Sequence, residues 1–216
     1  MAIEDLTTYT EVDPNGHITV DANTSTFTDL PRNEDAYVYK DKGVDHFNGD
    51  FEHLSEIYCS AGTASGIVYI NVLANLVDDA NGIYGGGGDM LTLLIHMDSD
   101  NAPSLYMREY DAGTEYTDGP YAFSPSTLYY LKFKRDEGVG TYGTLYCYLY
   151  SDAARTNLLT TLTLTLHAKK DFRYIYVTQT YNSNTTEVIT GYYQNLDLQE
   201  APPPPAGGAC YGYVIG

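Results

Sequence analysis

The chain has 216 residues, 43% of them hydrophobic, and a formal net charge of −18. That apolar content is enough for a full core, and the length suits one large all-β sandwich. The acidic balance disfavours nucleic acid and anionic membrane as partners, because both repel a negative surface.

Three cysteines cannot close a disulfide framework, and an odd count fits assembly in a reducing compartment. Cys59 and Cys147 sit inside apolar strand patterns and read as small buried hydrophobes. The opening residues, Met1-Ala2-Ile3-Glu4-Asp5, carry neither a basic region nor an apolar stretch, so no secretory signal is expected. No run reaches the ~20 apolar residues of a membrane span. The expectation is a soluble protein synthesised in the cytoplasm.

Helical signals are nearly absent, whereas threonine, tyrosine, valine and isoleucine dominate between closely spaced turn clusters. In chain order the pattern predicts strands near residues 17–20, 25–29, 36–40, 50–59, 66–75, 90–97, 104–110, 127–135, 143–151, 158–166, 172–181 and 188–198. Gly85-Gly86-Gly87-Gly88 has no following Gly-Lys-Ser/Thr and is not a phosphate loop. Along 127–135, Lys132 and Lys134 alternate with Leu131 and Phe133. Ser151–Asn157 reads as a hairpin connection, and in 161–166 leucines alternate with threonines. Such alternation marks antiparallel sheets with one buried face, hence an all-β, antiparallel two-sheet sandwich.

Tyrosine is the loudest residue type, 23 copies against no tryptophan. In 143–151, Leu145, Cys147 and Leu149 point to one face and Tyr146, Tyr148 and Tyr150 to the other. Hydroxyl-tipped rings on an outer face suit a half-wet contact surface, so these three are candidates for glycan or partner contact.

Composition changes after Glu200. The sandwich is assigned to residues 1–200, a Pro/Gly linker to 201–208 and a strand-like apolar end to 209–216. Cys210, Tyr211, Tyr213, Val214 and Ile215 are the candidate assembly anchor, docking by strand addition to a neighbouring copy or another subunit.

The block Arg32–Asp41, followed by Gly49-Asp50-Phe51-Glu52-His53, resembles the opening strands of concanavalin A-like lectin/glucanase domains, the laminin G-like group included. Asp136–Gly143, the tyrosine-rich strand and the Ser151–Asn157 hairpin resemble a later portion, so the likeness spans roughly residues 8–200. It implies a jelly-roll sandwich and, among functions, lectins, glycosidases, lyases and structural modules.

Glucan-cleaving members of that group carry closely spaced acids on one strand. Here Glu52 and Glu56 share a face, but four residues separate their backbones by roughly 13 Å and Leu54 stands where the middle acid belongs. Retaining carboxylate pairs lie about 5–5.5 Å apart and inverting pairs about 6.5–9.5 Å. The five histidines, 17, 46, 53, 96 and 167, are scattered with no zinc-ligand spacing. No catalytic residue is assigned, and no cofactor is required. Calcium is the one ion weighed, on the oxygen-rich clusters Asp78–Gly82 and Asp98–Asn101, with Asp98 and Asp100 as candidate ligands. The resulting expectation is a non-enzymatic display module of a virion surface or extracellular assembly, homo-oligomeric and anchored by its tail to a capsid, tube or neighbouring copy. The alternative is a soluble carbohydrate-binding lectin.

Overall fold

The computed structural model describes residues 2–200, which form two seven-stranded antiparallel sheets packed face to face. The first sheet runs β1 (Thr10–Val12), β4 (Tyr37–Asp41), β13 (Tyr174–Gln179), β6 (Ile67–Ala74), β7 (Met90–Ser99), β8 (Ala102–Asp111), β9 (Thr114–Ala122). The second runs β12 (Leu158–Thr165), β11 (Thr144–Tyr150), β10 (Leu128–Asp136), β5 (Phe51–Gly62), β14 (Val188–Asp197), β3 (Thr24–Pro31), β2 (Ile18–Val20). The expected sandwich is therefore present. The anchor residues Cys210, Tyr211, Tyr213, Val214 and Ile215 lie outside the described residues.

The second sheet follows strict alternation. Along β10 the burial alternates between half-buried and buried, with Tyr129, Leu131, Phe133 and Arg135 turned inward. Leu145, Cys147 and Leu149 of β11 face the same interior, joined by Leu162 and Leu164 of β12. Cys59 and Cys147 are buried free thiols. Burial alone raises the Cys147 thiol, and it pushes Cys59 up to about 12 despite a backbone hydrogen bond from Ala61.

The first sheet departs from that pattern. All eight residues of β6 are buried, as are the first six of β7. Val68, Ile70, Leu91, Leu93 and Ile95 enter the core between the sheets. The alternate residues Ile67, Tyr69, Met90 and Leu94 join a second apolar cluster on the opposite face with Tyr110 and Tyr176. That outer face is covered by α1 (Ala80–Gly85), which contributes Ala80 and Ile83. The sequence reading missed this helix. Six residues give no helical periodicity, and Asp78–Gly82 reads as a turn or a cation loop. Its start is fixed by Asp79, whose carboxylate accepts hydrogen bonds from the backbone N–H groups of Asn81 (3.0 Å) and Gly82 (2.8 Å).

Two buried ionisable groups connect layers. Glu109, on β8 and fully buried, accepts hydrogen bonds from the His167 and Ala168 backbone N–H groups and lies 2.9 Å from His167 Nδ1, tying the end of β12 to the first sheet. Arg135 is 1% exposed and donates to the carbonyls of Gly49 (2.6 Å), Lys170 (2.7 Å) and Phe47 (2.9 Å). Both close the inter-strand loops at one end of the sandwich, and each buried charged group is hydrogen-bonded.

His53 of β5 is stacked on Phe51 (4.5 Å between ring centres) and places Nδ1 2.9 Å from Asn71 Oδ1. Asn71 adopts φ +48° at the bulge of β6. Burial pushes the His53 imidazole down from 6.5 to about 4, against the hydrogen bond to Asn71. The unfolded chain therefore takes up this proton first, and stability falls as pH drops from 6.5 towards about 4. The contribution is at most about 3 kcal/mol. Urea unfolding between pH 7 and pH 4.5 should show a smaller loss of stability in His53→Gln than in the unsubstituted protein; equal losses would remove His53 as the cause.

Candidate functional site

The outer face of the first sheet is paved with tyrosine. Tyr37 and Tyr39 of β4 meet Tyr174 and Tyr176 of β13 with ring centres 5.5–5.9 Å apart. Further across, Tyr69 of β6 lies parallel to Tyr181 at 6.0 Å, and Tyr84 of α1 approaches Tyr110 at 5.1 Å. Each ring hides an apolar body, and its hydroxyl needs a partner. Tyr176 donates to the Leu76 carbonyl at 2.6 Å. Tyr69 and Tyr110 pair hydroxyl to hydroxyl at 2.8 Å, and both accept from Arg108 Nη1 at 3.0 Å. Burial pushes the Tyr69 phenol up to about 12, against the opposing charge of Arg108.

Arg108 therefore holds two hydroxyls of the second apolar cluster and also borders the surface. With Arg32, Ile67, Tyr69, His96 and Tyr181 it lines a cleft of about 200 Å³. Strand pairing makes this neighbourhood: Ile67 sits opposite His96, and Tyr69 opposite Leu94, which in turn faces Tyr106. Arg32 enters from the end of β3, its Nη1 donating to the Ser65 carbonyl at 2.8 Å while its guanidinium lies 5.5 Å from the Tyr181 ring centre. Its Nε has no hydrogen-bond partner. The Arg108 Nε lies 3.2 Å from Glu115 of β9, whereas Arg32 has no carboxylate oxygen within 4 Å among the described residues, although its charge, after a hydrogen bond from Thr185, helps to lower the Glu187 carboxyl.

His96 forms the third wall. Its Nδ1 lies 3.0 Å from Asp98 Oδ1, and Asp98 also accepts from Ser104 (2.5 Å) and Tyr106 (3.2 Å). Burial alone would raise the Asp98 carboxyl, but the bonds from Ser104, His96 and Tyr106 outweigh it and hold it below its usual range. The arrangement orients an imidazole beside two guanidinium groups. It offers the remaining guanidinium N–H groups to an anion beside the rings of Tyr69 and Tyr181.

The residues singled out in the sequence are distributed differently. Tyr146, Tyr148 and Tyr150 stand half-buried on the outer face of the second sheet, nearly parallel at 6.1 and 6.5 Å, with Lys134 and Lys132 over Tyr146 and Tyr148. They are far down a different sheet from the arginine cleft. Asp98 is engaged with His96, and Asp100 instead accepts from the Ala64 backbone N–H at 2.7 Å. Among the described residues no group of three or more His, Cys, Asp or Glu side chains is placed to hold a metal ion. Glu52 pairs with Lys132 at 2.8 Å and Glu56 accepts from Gln194 at 2.7 Å, so each carboxylate is occupied separately. The sequence reading left Arg32, Arg108 and His96 unassigned. Their signal was chemical rather than positional: arginines beside tyrosines in a chain with few cations.

No family model matches the sequence, and no curated protein matches it. Solved structures do match the fold. A functionally unknown protein from Saccharomyces cerevisiae superposes with a TM-score of 0.57 at 10% identity, covering 93% of this chain and 100% of that one. An endo-β-1,4-glucuronan lyase from Trichoderma reesei gives 0.52 at 12% identity, covering 90% and 88%. A legume lectin-like domain from Entamoeba histolytica gives 0.51 at 11% identity, covering 87% and 89%. The likeness is one of fold: a two-sheet jelly-roll sandwich of the concanavalin A-like kind. At these identities the likeness establishes architecture only.

Because Tyr110 holds the inner edge of Arg108, Tyr110→Phe should cost about 1–2 kcal/mol in urea unfolding. A change within about 0.3 kcal/mol would show that the buried hydroxyl pair contributes nothing.

Proposed function

We propose that the protein is a carbohydrate-binding domain that takes an acidic glycan on the outer face of its first sheet. The observation that carries this reading is Arg32, whose guanidinium lies at a tyrosine-lined cleft, beside Arg108, and pairs with no carboxylate among the described residues. A carboxylate or sulfate on a sugar matches the guanidinium N–H donors that remain at the cleft, and the tyrosine rings supply apolar carbon beside them. The net charge of −18 opposes a polyanion at long range. Screening at physiological salt limits that repulsion to about 8 Å, so the contact is confined to one or two anionic groups at the cleft.

A second reading, cleavage of the same glycan, is favoured by one observation. His96, aligned by Asp98, lines the cleft that the two arginines share, as a proton-transferring group would. The shared fold accommodates a lectin-like domain and a lyase alike and does not separate the two. The display-module reading, a virion component held by residues 209–216, rests on the tail and on the expected absence of an export signal, and nothing among the described residues favours it.

Titration calorimetry with polyglucuronate and with a sulfated glycan tests the binding reading. Saturable binding is expected, weakened about tenfold or more by Arg32→Ala and by Arg108→Lys, a loss of about 1.4 kcal/mol or more. Neutral dextran should not compete at this cleft. Binding untouched by either substitution would overturn the assignment. Incubation with polyglucuronate, followed at the ultraviolet absorbance of unsaturated ends and by reducing-end assay, separates binding from cleavage: turnover lost in His96→Ala, with binding retained, would make the protein an enzyme.

A further inference from the structure

A second concavity lies at the end of the sandwich closed by Arg135, with a volume of about 380 Å³. That is within the ~300–1,000 Å³ typical of small-ligand pockets. One wall is the loop before β5, from His46 to Asp50; the other is Leu198–Glu200, beyond β14. Phe47, Phe51 and Leu198 supply carbon surface, and His53 forms the floor.

The walls are pre-shaped. Arg135 uses its guanidinium on the carbonyls of Phe47 and Gly49, which fixes the loop from beneath. Phe47 and Phe172 are joined as an isolated bridge, N to O at 3.0 Å. On the other side Gln199 adopts φ +54°, with its N–H donating to Asp197 Oδ1 at 3.0 Å. That turn brings Glu200 back across the opening to His46 Nε2, 2.5 Å away, and towards Lys42 at 3.6 Å.

Charge decides what fits. Most ionic groups of the lining are already engaged: His46 with Glu200 within it, and Lys134 with Asp136 and Glu52 with Lys132 outside it. Asp50 Oδ1 accepts from the Glu137 backbone N–H at 2.6 Å. The polar groups left over are the Asp50 carboxylate, which has no cation within 4 Å among the described residues, and uncharged side chains. The side-chain amides of Asn48 and Gln199 bond to no other described residue, and His53, 1% exposed, uses only Nδ1, on Asn71. An anionic ligand would face the Asp50 carboxylate and would have to break one of these pairs to reach a cation, whereas a neutral ring bearing hydroxyls meets free amides and that carboxylate at its edge and carbon at its face.

We propose that this pocket is a second binding site, independent of the arginine cleft, for a small uncharged polyhydroxylated ring such as a neutral pyranoside. The test uses the full chain, isotope-labelled, with methyl β-D-glucopyranoside and myo-inositol as probes in amide and imidazole correlation spectra. Saturable shifts are expected at Asn48, Gly49 and Gln199 and at the His53 ring nitrogens, with the Arg108 and Tyr181 signals unmoved. Asn48→Leu and Gln199→Leu, both at the pocket mouth and retaining dispersed spectra, should each weaken binding about fivefold or more. Absence of saturable shifts with both probes up to about 0.1 M overturns the proposal, as does unchanged affinity in both variants. Cross-relaxation between the Phe51 ring and Pro202–Pro205 in the protein without probe would also overturn it, because the chain's own segment would then fill the pocket.

Discussion

A β-sheet has two faces, and the central strands of the first sheet carry apolar side chains on both. In an ordinary sandwich the outer face meets water, so β6, with eight buried residues in succession, poses a burial problem that the second sheet cannot solve. The solution is a thin additional layer: one short helix and a field of tyrosines. Tyrosine suits the task because its ring replaces water over apolar carbon while its hydroxyl stays answerable to polar partners. The hydroxyls then require donors or acceptors of their own, and Arg108 supplies one. The guanidinium at the candidate site is thus a consequence of how the outer face is covered. Aromatic contacts of this kind contribute roughly 0.5–1.5 kcal/mol each beyond their burial.

This explains which parts of the molecule could be read from the chain. β10, β11 and β12 alternate between core and solvent, so their faces were visible residue by residue. β9 was hidden because Gly119 and Pro120 argue against a strand; it lies at the sheet edge, where a missing N–H breaks no ladder. β1, three residues long, carries no measurable period. α1 left only the capping preference of Asp79 as a trace. The cleft was illegible for a different reason. Arg32, Tyr69, His96, Arg108 and Tyr181 come together through strand order, and alternation says which face a residue takes but not which strand lies beside it. Attention therefore fell on Tyr146, Tyr148 and Tyr150, the most regular aromatic series, and not on the irregular one that surrounds the arginines.

The charge distribution reinforces the contrast between fold and site. The chain has 11 lysines and arginines against 29 acids. Many of the cations sit in ion pairs, some of them at the surface, such as Arg173 with Asp41 or Lys132 with Glu52. Exposed pairs of this kind contribute about 0–1 kcal/mol each, so they do not hold the sandwich together. Their effect is to leave the surface nearly uniform in sign. A cation that stays outside such pairs, as Arg32 does, stands out against that background far more than it would on a neutral protein.

The double duty of Arg108 has an evolutionary consequence. Its inner edge completes the hydroxyl pair of Tyr69 and Tyr110 beneath the surface, so replacing it disturbs the covering layer as well as any ligand. Arg32 and Tyr181 sit beyond the ends of β3 and β13, in connecting segments where substitution disturbs less of the sheet. Among descendants of this chain, positions 32 and 181 are therefore free to vary, while position 108 is constrained by folding. The same cleft would show one arginine held constant by stability and a changing rim around it.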